Sequence, residues 1–263
     1  MKTTRSLVVV AGVILAAAVP ASAVAVAAAE PVNPPTVVET PVTPGIRVTP
    51  LPGTVALTFD DGPHPVWTPY ILDVLAAYGV KATFFVTTAK VAVYPEITRR
   101  IIAEGHSLQN HGHDHPVLTG LSDFRVAWRV TRGAEDIAAV AGVLPTCFRP
   151  PFGITSPRVN RIINEHGHQV VMWTHDSGDY AHQSSRILLE RSLQWGVGDI
   201  VVMHDTNGYL YDEGVLEQMI EGIAARGIGF SSICANPVAG SGSGSALPAR
   251  RADPTARGPF LVL

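Results

Sequence analysis

Between residues 53 and 237, short apolar runs alternate with longer stretches of helical periodicity, which restricts the chain to an α/β architecture on a parallel sheet. Residues 54–59, 82–86, 107–110, 147–149, 169–173, 200–203 and 229–232 read as strands. Helices are expected over 68–78, 95–104, 123–141, 157–166, 185–195 and 213–226. Ser156 followed by Pro157, and Ser122 before the third helix, are start signals, while Gly142 stands just past a helix end. Seven strands alternating with helices suit a closed or nearly closed barrel.

The flanks read differently. Lys2 and Arg5 precede about a dozen apolar residues from Leu7, and Ala21, Ser22 and Ala23 form a small-residue cleavage site, with Ala29 as a second option. Residues 1–29 are therefore expected to be an export signal. Pro20 and the shortness of the run argue against a spanning helix of roughly 20 residues, so a secreted or wall-associated protein with no stable membrane insertion after cleavage is expected. Residues 30–52 are Pro-rich and read as an extended spacer, and 238–263 as a Gly/Ser/Pro/Arg-rich tail without a packed core. One domain, 53–237, remains, with no internal repeat, and it is expected to act as a monomer.

Composition enters as an exclusion. Lys plus Arg number 19 against 22 Asp plus Glu, so the basic footprint of a nucleic-acid-binding protein is absent. Export would place Cys147 and Cys234 in an oxidising environment, where a disulfide and two buried thiols stand as equal alternatives.

The positions of the polar residues carry more information. Asp60 and Asp61 follow the first strand, His111 the third, Arg149 ends the fourth, Asp176 follows the fifth and His204 ends the sixth. In a parallel sheet all of these project from one rim, where β/α folds carry out their chemistry. Two adjacent carboxylates repel each other, so a cation that neutralises one would leave the other free as a base, although an Asp-Gly-Pro turn explains the same residues. His111 and His115 would face one way on a helical turn and, with a carboxylate, make a three-ligand metal site with room for water. If the segment is extended, His111, His113 and His115 share a face instead, and His113 or Asp114 becomes a ligand candidate. Arg149 is suited to hold a carboxylate by a two-pronged hydrogen bond, and a carboxylate beside His204 would favour its protonated form. Trp67, Trp128 and Trp195 read as helical core, and Trp173 as the tryptophan nearest the rim.

These residues resemble the NodB-homology polysaccharide deacetylases, carbohydrate esterase family 4. The resemblance covers about residues 53–234 through five short motifs in order: Thr-Phe-Asp-Asp-Gly at 58–62, the His cluster at 111–116, Arg-Pro-Pro-Phe-Gly at 149–153, Asp-Ser-Gly-Asp-Tyr at 176–180 and Val-Met-His-Asp at 202–205. It implies a distorted (β/α)7 barrel of the NodB-homology, glycoside hydrolase/deacetylase-like kind. It also implies one divalent metal, with zinc expected ahead of cobalt, nickel or manganese. The implied activity is hydrolysis of N-acetyl groups on chitin oligosaccharides or peptidoglycan. By position, Asp60 would be the general base, Asp61, His111 and His115 the metal ligands, Arg149 the group orienting Asp60, and His204 the general acid, tuned by Asp176. The backbone N–H of Phe152 would serve the oxyanion, and Tyr180 and Trp173 would line the groove. Gly112 replaces the usual Ser or Thr after the first metal His, which removes a hydrogen bond expected to brace the ligand loop. Phe152 stands where Tyr is common, Tyr180 where Trp is usual, and His113 and His175 are additional imidazoles. An acetylxylan esterase with the same metal site, and a catalytically silent glycan-binding homologue, are the alternatives.

Overall fold

In the computed structural model, residues 48–181, 184–206 and 214–239 are described. They run β1 (Thr54–Asp60), α1 (Trp67–Ala77), β2 (Thr83–Val86), α2 (Thr88–Val93), α3 (Pro95–Ala103) and β3 (Ser107–Asn110). After these come α4 (Asp123–Ala141), β4 (Cys147–Phe148), α5 (Pro157–Glu165), β5 (Gln169–Val170), β6 (His175–Asp176), α6 (Ser185–Ser192), β7 (Ile200–His204), α7 (Val215–Ala224) and β8 (Gly229–Phe230). The expected export signal, the spacer up to residue 47 and the tail from residue 240 lie outside the described residues. Among the described residues no helix is long and apolar enough to cross a membrane.

The strands lie in the order β5-β4-β3-β2-β1-β7-β6, with β8 also paired to β1, and every pairing between them is parallel. β5 and β6 stand at opposite ends of this ladder, yet only residues 171–174 separate them. That stretch can span at most about 18 Å, whereas a flat seven-strand ladder would be about 29 Å wide. The sheet therefore curls into a distorted, incomplete barrel. The backbone closes the gap itself: Val171 N donates to Phe148 O on one side and Thr174 N to Ile200 O on the other. The strand expected over 169–173 is thus cut short at Val170, and a separate short strand, β6, forms beyond its bounds at 175–176, because the chain must turn away from β4 to reach β7.

β1 is buried along almost its whole length, as both faces of a central parallel strand should be. Outside the curl, Leu57, Phe59, Phe84, Leu108, Val201 and Met203 pack against Ile71, Leu72, Ile101 and Met219 from the helices. A second cluster joins Val126 and Val130 of α4 to Phe148, Val159 and Ile163. Ser156 caps α5 by accepting Val159 N at 3.3 Å, whereas Ser122 occupies the start of α4 without a side-chain cap. α2 was not expected: its Thr, Ala and Val residues carry no helix stripe, and tertiary contacts decide its conformation. Cys147 and Cys234 are disulfide-bonded, with Cα atoms 6.1 Å apart, which ties the start of β4 to the segment after β8.

Candidate active site

Asp60 and His204 end neighbouring strands and are register partners across β1 and β7. Asp60 is buried beneath this rim, with Arg149 Nη1 donating to its Oδ1 at 2.7 Å. The expected two-pronged contact is single, because the same nitrogen also donates to Thr58 Oγ1 at 2.7 Å while Nε and Nη2 point towards the carbonyls of Val171 and Met172. The fully buried guanidinium lies 4.0 Å from the Phe85 ring centre. Burial pushes the Asp60 carboxyl above its ordinary range, against the pull of Arg149.

Asp61, the next residue, turns the other way. Its φ is 76°, a left-handed conformation that carries a cost for a residue with a side chain. His115 (φ 52°) and Phe152 (φ 60°) share this strain, so three of the four non-glycine residues with positive φ among those described surround one point. Gly62 is required by close approach, since a Cβ there would overlap the Asp205 carboxylate.

The His111–His115 segment is neither a helical turn nor an extended run. Gly112 (φ 85°) and His115 reverse the chain, so that His111 Nε2 lies 3.5 Å and His115 Nε2 3.1 Å from Asp61 Oδ1. His111 Nδ1 meets the Arg149 carbonyl at 2.7 Å, which fixes the ring and leaves Nε2 facing the carboxylate. Burial brings the His111 pKa down to about 3, so the imidazole is neutral and able to ligate. Asp61 Oδ1 is shielded from solvent and accepts no hydrogen bond. A buried carboxylate oxygen left unpaired between two imidazole nitrogens is costly unless a cation completes it, and all three donor atoms lie within 4.8 Å of one another. The O, N, N set therefore fits a metal ion.

Neither alternative ligand is available. His113 Nδ1 is 3.1 Å from Thr88 Oγ1 and its ring stands edge-on to Trp128, while Asp114 is clamped by Arg129 at 2.6 and 2.7 Å. The brace expected to be missing at Gly112 is supplied by the backbone: Asn110 Oδ1 accepts Gly112 N, and Gly112 O accepts Thr88 N.

Asp176 does not tune His204. Its Oδ1 accepts Gly178 N at 2.8 Å and its Oδ2 the Tyr180 hydroxyl at 3.2 Å, so the turn itself occupies this carboxylate. Asp179, three residues on and fully buried, holds His204 instead, with its Oδ1 2.7 Å from Nδ1. The Asp-Ser-Gly sequence, which favours an Asx turn, was the signal that could have excluded Asp176. Burial lowers the His204 pKa, but the hydrogen bond and charge of Asp179, helped by Asp60 and Asp61, lift it to about 9. Phe152 packs on His115 with ring centres 4.4 Å apart, and the half-exposed Tyr180 stands edge-on to His204 at 5.4 Å. Trp173 lies against Gly153, its ring centre 5.7 Å from the Arg149 guanidinium. His175 faces away and pairs with Asp199 at 3.1 Å. Trp195 is core as expected, but Trp128 is 40% exposed.

The sequence profile for polysaccharide deacetylases matches residues 47–171. A chitooligosaccharide deacetylase of Bradyrhizobium is 39% identical over 153 residues, which are 57% of this chain and 70% of that protein. This chain belongs to the polysaccharide deacetylase family. The peptidoglycan-N-acetylglucosamine deacetylase PgdA of Listeria monocytogenes is 36% identical over 152 residues, 57% of this chain but only 32% of the relative, so the match spans about a third of that polysaccharide deacetylase. Among solved structures, the family 4 carbohydrate esterase from Streptomyces lividans in complex with acetate superposes with a TM-score of 0.65 at 28% identity, covering 68% of this chain and 92% of that one.

Proposed function

We propose that this protein is a secreted, metal-dependent polysaccharide deacetylase that hydrolyses N-acetyl groups of N-acetylglucosamine-containing glycans, peptidoglycan or chitin oligosaccharides, and releases acetate. The observation that carries the reading is the convergence of Asp61, His111 and His115 beside a buried carboxylate and across the rim from a protonated imidazole. Relatives that act on peptidoglycan and on chitooligosaccharides support the substrate class. The leader motif at residues 1–29 supports export.

Asp61 Oδ1, His111 Nε2 and His115 Nε2 would hold the ion, and this donor set suits zinc, with cobalt, nickel or manganese as alternatives. When bound, the metal supplies Lewis acidity towards the acetyl carbonyl and lowers the pKa of water. Asp60, its other oxygen free of Arg149, accepts the proton from the attacking water. Arg149 is a positioning residue, since it touches Asp60 and not the reacting atoms. The Phe152 N–H donates to the oxyanion, its left-handed turn placing the backbone beside His115. An amide nitrogen leaves only when protonated, and His204, held by Asp179 through Nδ1, delivers that proton from Nε2. Tyr180, edge-on to His204, and Trp173, beside Gly153 and Arg149, line the groove.

The deciding experiment measures acetate released from N-acetylated chitooligosaccharides, peptidoglycan and acetylxylan, with metal supplied and with a chelator. Chelator-sensitive release from either of the first two supports the proposal. Release from acetylxylan alone replaces it with an O-acetyl esterase, and no release from any polymer replaces it with a glycan-binding domain.

A further inference from the structure

A cleft of about 290 Å³ opens beside the metal-ligand group, lined by Asp61, His115, Thr87, Lys90, His113 and Asp114 among others. Its charges are unevenly satisfied. Asp114 is neutralised by the paired hydrogen bonds of Arg129, and Asp61 is directed at the two imidazoles. Lys90 makes no ion pair with any carboxylate of the described residues; its ammonium donates to the main-chain carbonyl of Asp61 at 2.8 Å. That carbonyl already accepts the Thr87 hydroxyl at 3.0 Å, so the loop does not need a charged group to satisfy it. An ammonium with three donors that spends one on a neutral oxygen, at the edge of a cleft and beside a cation site, keeps capacity for an anion.

We propose that Lys90 is a specificity residue that receives a carboxylate carried by the glycan next to the acetylated sugar, which makes the preferred substrate an acidic, muramyl-containing chain over neutral chitin. The inference rests on the deacetylase reading and narrows its substrate class. Two sources supply the same chemistry: the lactyl carboxylate of a peptide-free muramyl residue, or a carboxylate of a peptide attached to it. A neutral glycan offers Lys90 nothing beyond hydroxyl groups, so binding it would bury part of an ammonium without a counter-charge.

The test compares metal-loaded wild type, Lys90→Gln and Lys90→Arg on three probes of equal sugar length: a chitooligosaccharide, a peptide-free muramyl glycan and the same glycan bearing its peptide. The readouts are kcat/KM for acetate release and Kd by calorimetry, each expressed as the ratio of acidic to neutral probe. The Gln variant should lose roughly tenfold of that ratio, the Arg variant should keep it, and added salt should reduce it in wild type only towards the Gln value. Preference for the peptide-free probe assigns the lactyl group, and preference confined to the peptide-bearing probe assigns the peptide. An unchanged ratio in Lys90→Gln, including equal losses on acidic and neutral probes, overturns the inference. Absence of acetate from every probe defeats the deacetylase reading, and the Kd ratio then still decides whether Lys90 selects a carboxylate.

Discussion

Asp179 and His204 are joined twice: the carboxylate accepts the His204 backbone N–H on Oδ2 at 2.7 Å and faces the imidazole Nδ1 from Oδ1 at the same distance. Ser177 Oγ donates to the same Oδ1 at 3.1 Å, so the acid is fixed before it acts on the ring. The pair sets both protonation and tautomer, because an Nδ1 committed to Asp179 leaves Nε2 as the atom that can donate a proton.

Replacement of Asp179 by Asn removes the charge that holds His204 at about 9 and should move the alkaline limb of the kcat/KM profile to lower pH, with a loss of roughly 100-fold in kcat on an N-acetyl substrate. Asp176→Asn should leave that limb in place. Stability follows the same group. Its folded pKa lies above the unfolded 6.5, so its contribution is fully present below about pH 6.5 and is lost as pH rises through about 9. Urea midpoints across that window should fall for wild type and stay flatter for Asp179→Asn.

Asp205 carries a different expectation. It is fully buried, accepts the Thr68 hydroxyl at 2.5 Å on Oδ2 and nothing on Oδ1. Burial, only partly offset by that hydrogen bond, raises its pKa from 3.8 to about 7. The stability tied to this group is present below about pH 3.8 and disappears as pH rises through about 7. Asp205→Asn should therefore gain on wild type as the pH is raised across that interval in metal-free protein. A constant difference between the two would show that the carboxylate is neutralised by another route.

The rim was legible in the sequence because continuous apolar runs and parallel pairing constrain it: a polar residue at the end of each apolar run must project from the same edge. Asp60, Asp61, His111, Arg149 and His204 were found this way. Asp179 was not, because turn hydrogen bonds decide between two acids three residues apart, and nothing in strand periodicity encodes them. α2, the early end of β5 with a separate β6 beyond it, and the left-handed turns at Asp61 and His115 were hidden for a related reason. Each is imposed by packing between segments far apart in sequence, such as the tie between Thr87 and the Asp61 carbonyl. The exposure of Trp128 was missed because a helical tryptophan is read as core, whereas here its neighbour is His113 of the ligand loop.

Gly112 shows how a departure from a family pattern can be structural. At φ 85° the nearest atom to an added Cβ is in the Phe148 ring at 3.6 Å, so a side chain has room but the backbone is strained. Gly112→Ser should destabilise the fold by about 1–2 kcal/mol without tightening metal binding, because Asn110 and Thr88 already brace the loop. Thermal unfolding and zinc titration of the two proteins check this, and a Ser variant with higher metal affinity would contradict it.

Metal removal should be read from stability as well as activity. Asp61 Oδ1 gains its partner only when a cation sits between it and the nitrogens of His111 and His115, so ion binding and the left-handed turn at Asp61 are coupled. At a metal concentration of about 100 Kd, linkage stabilises the fold by about 2.7 kcal/mol, which corresponds to roughly 5 to 10 °C in unfolding temperature. Chelation should reverse that gain, and zinc should restore it. Asp61→Asn keeps the shape but offers a neutral oxygen and an N–H in place of the carboxylate, so it should bind metal far more weakly and lose most of the thermal response. Asp60→Asn, which leaves all three donors intact, should keep the response while losing turnover. A chelator-insensitive unfolding temperature in wild type, together with metal content near zero after dialysis against zinc, would mean that the three donor atoms do not form an ion site.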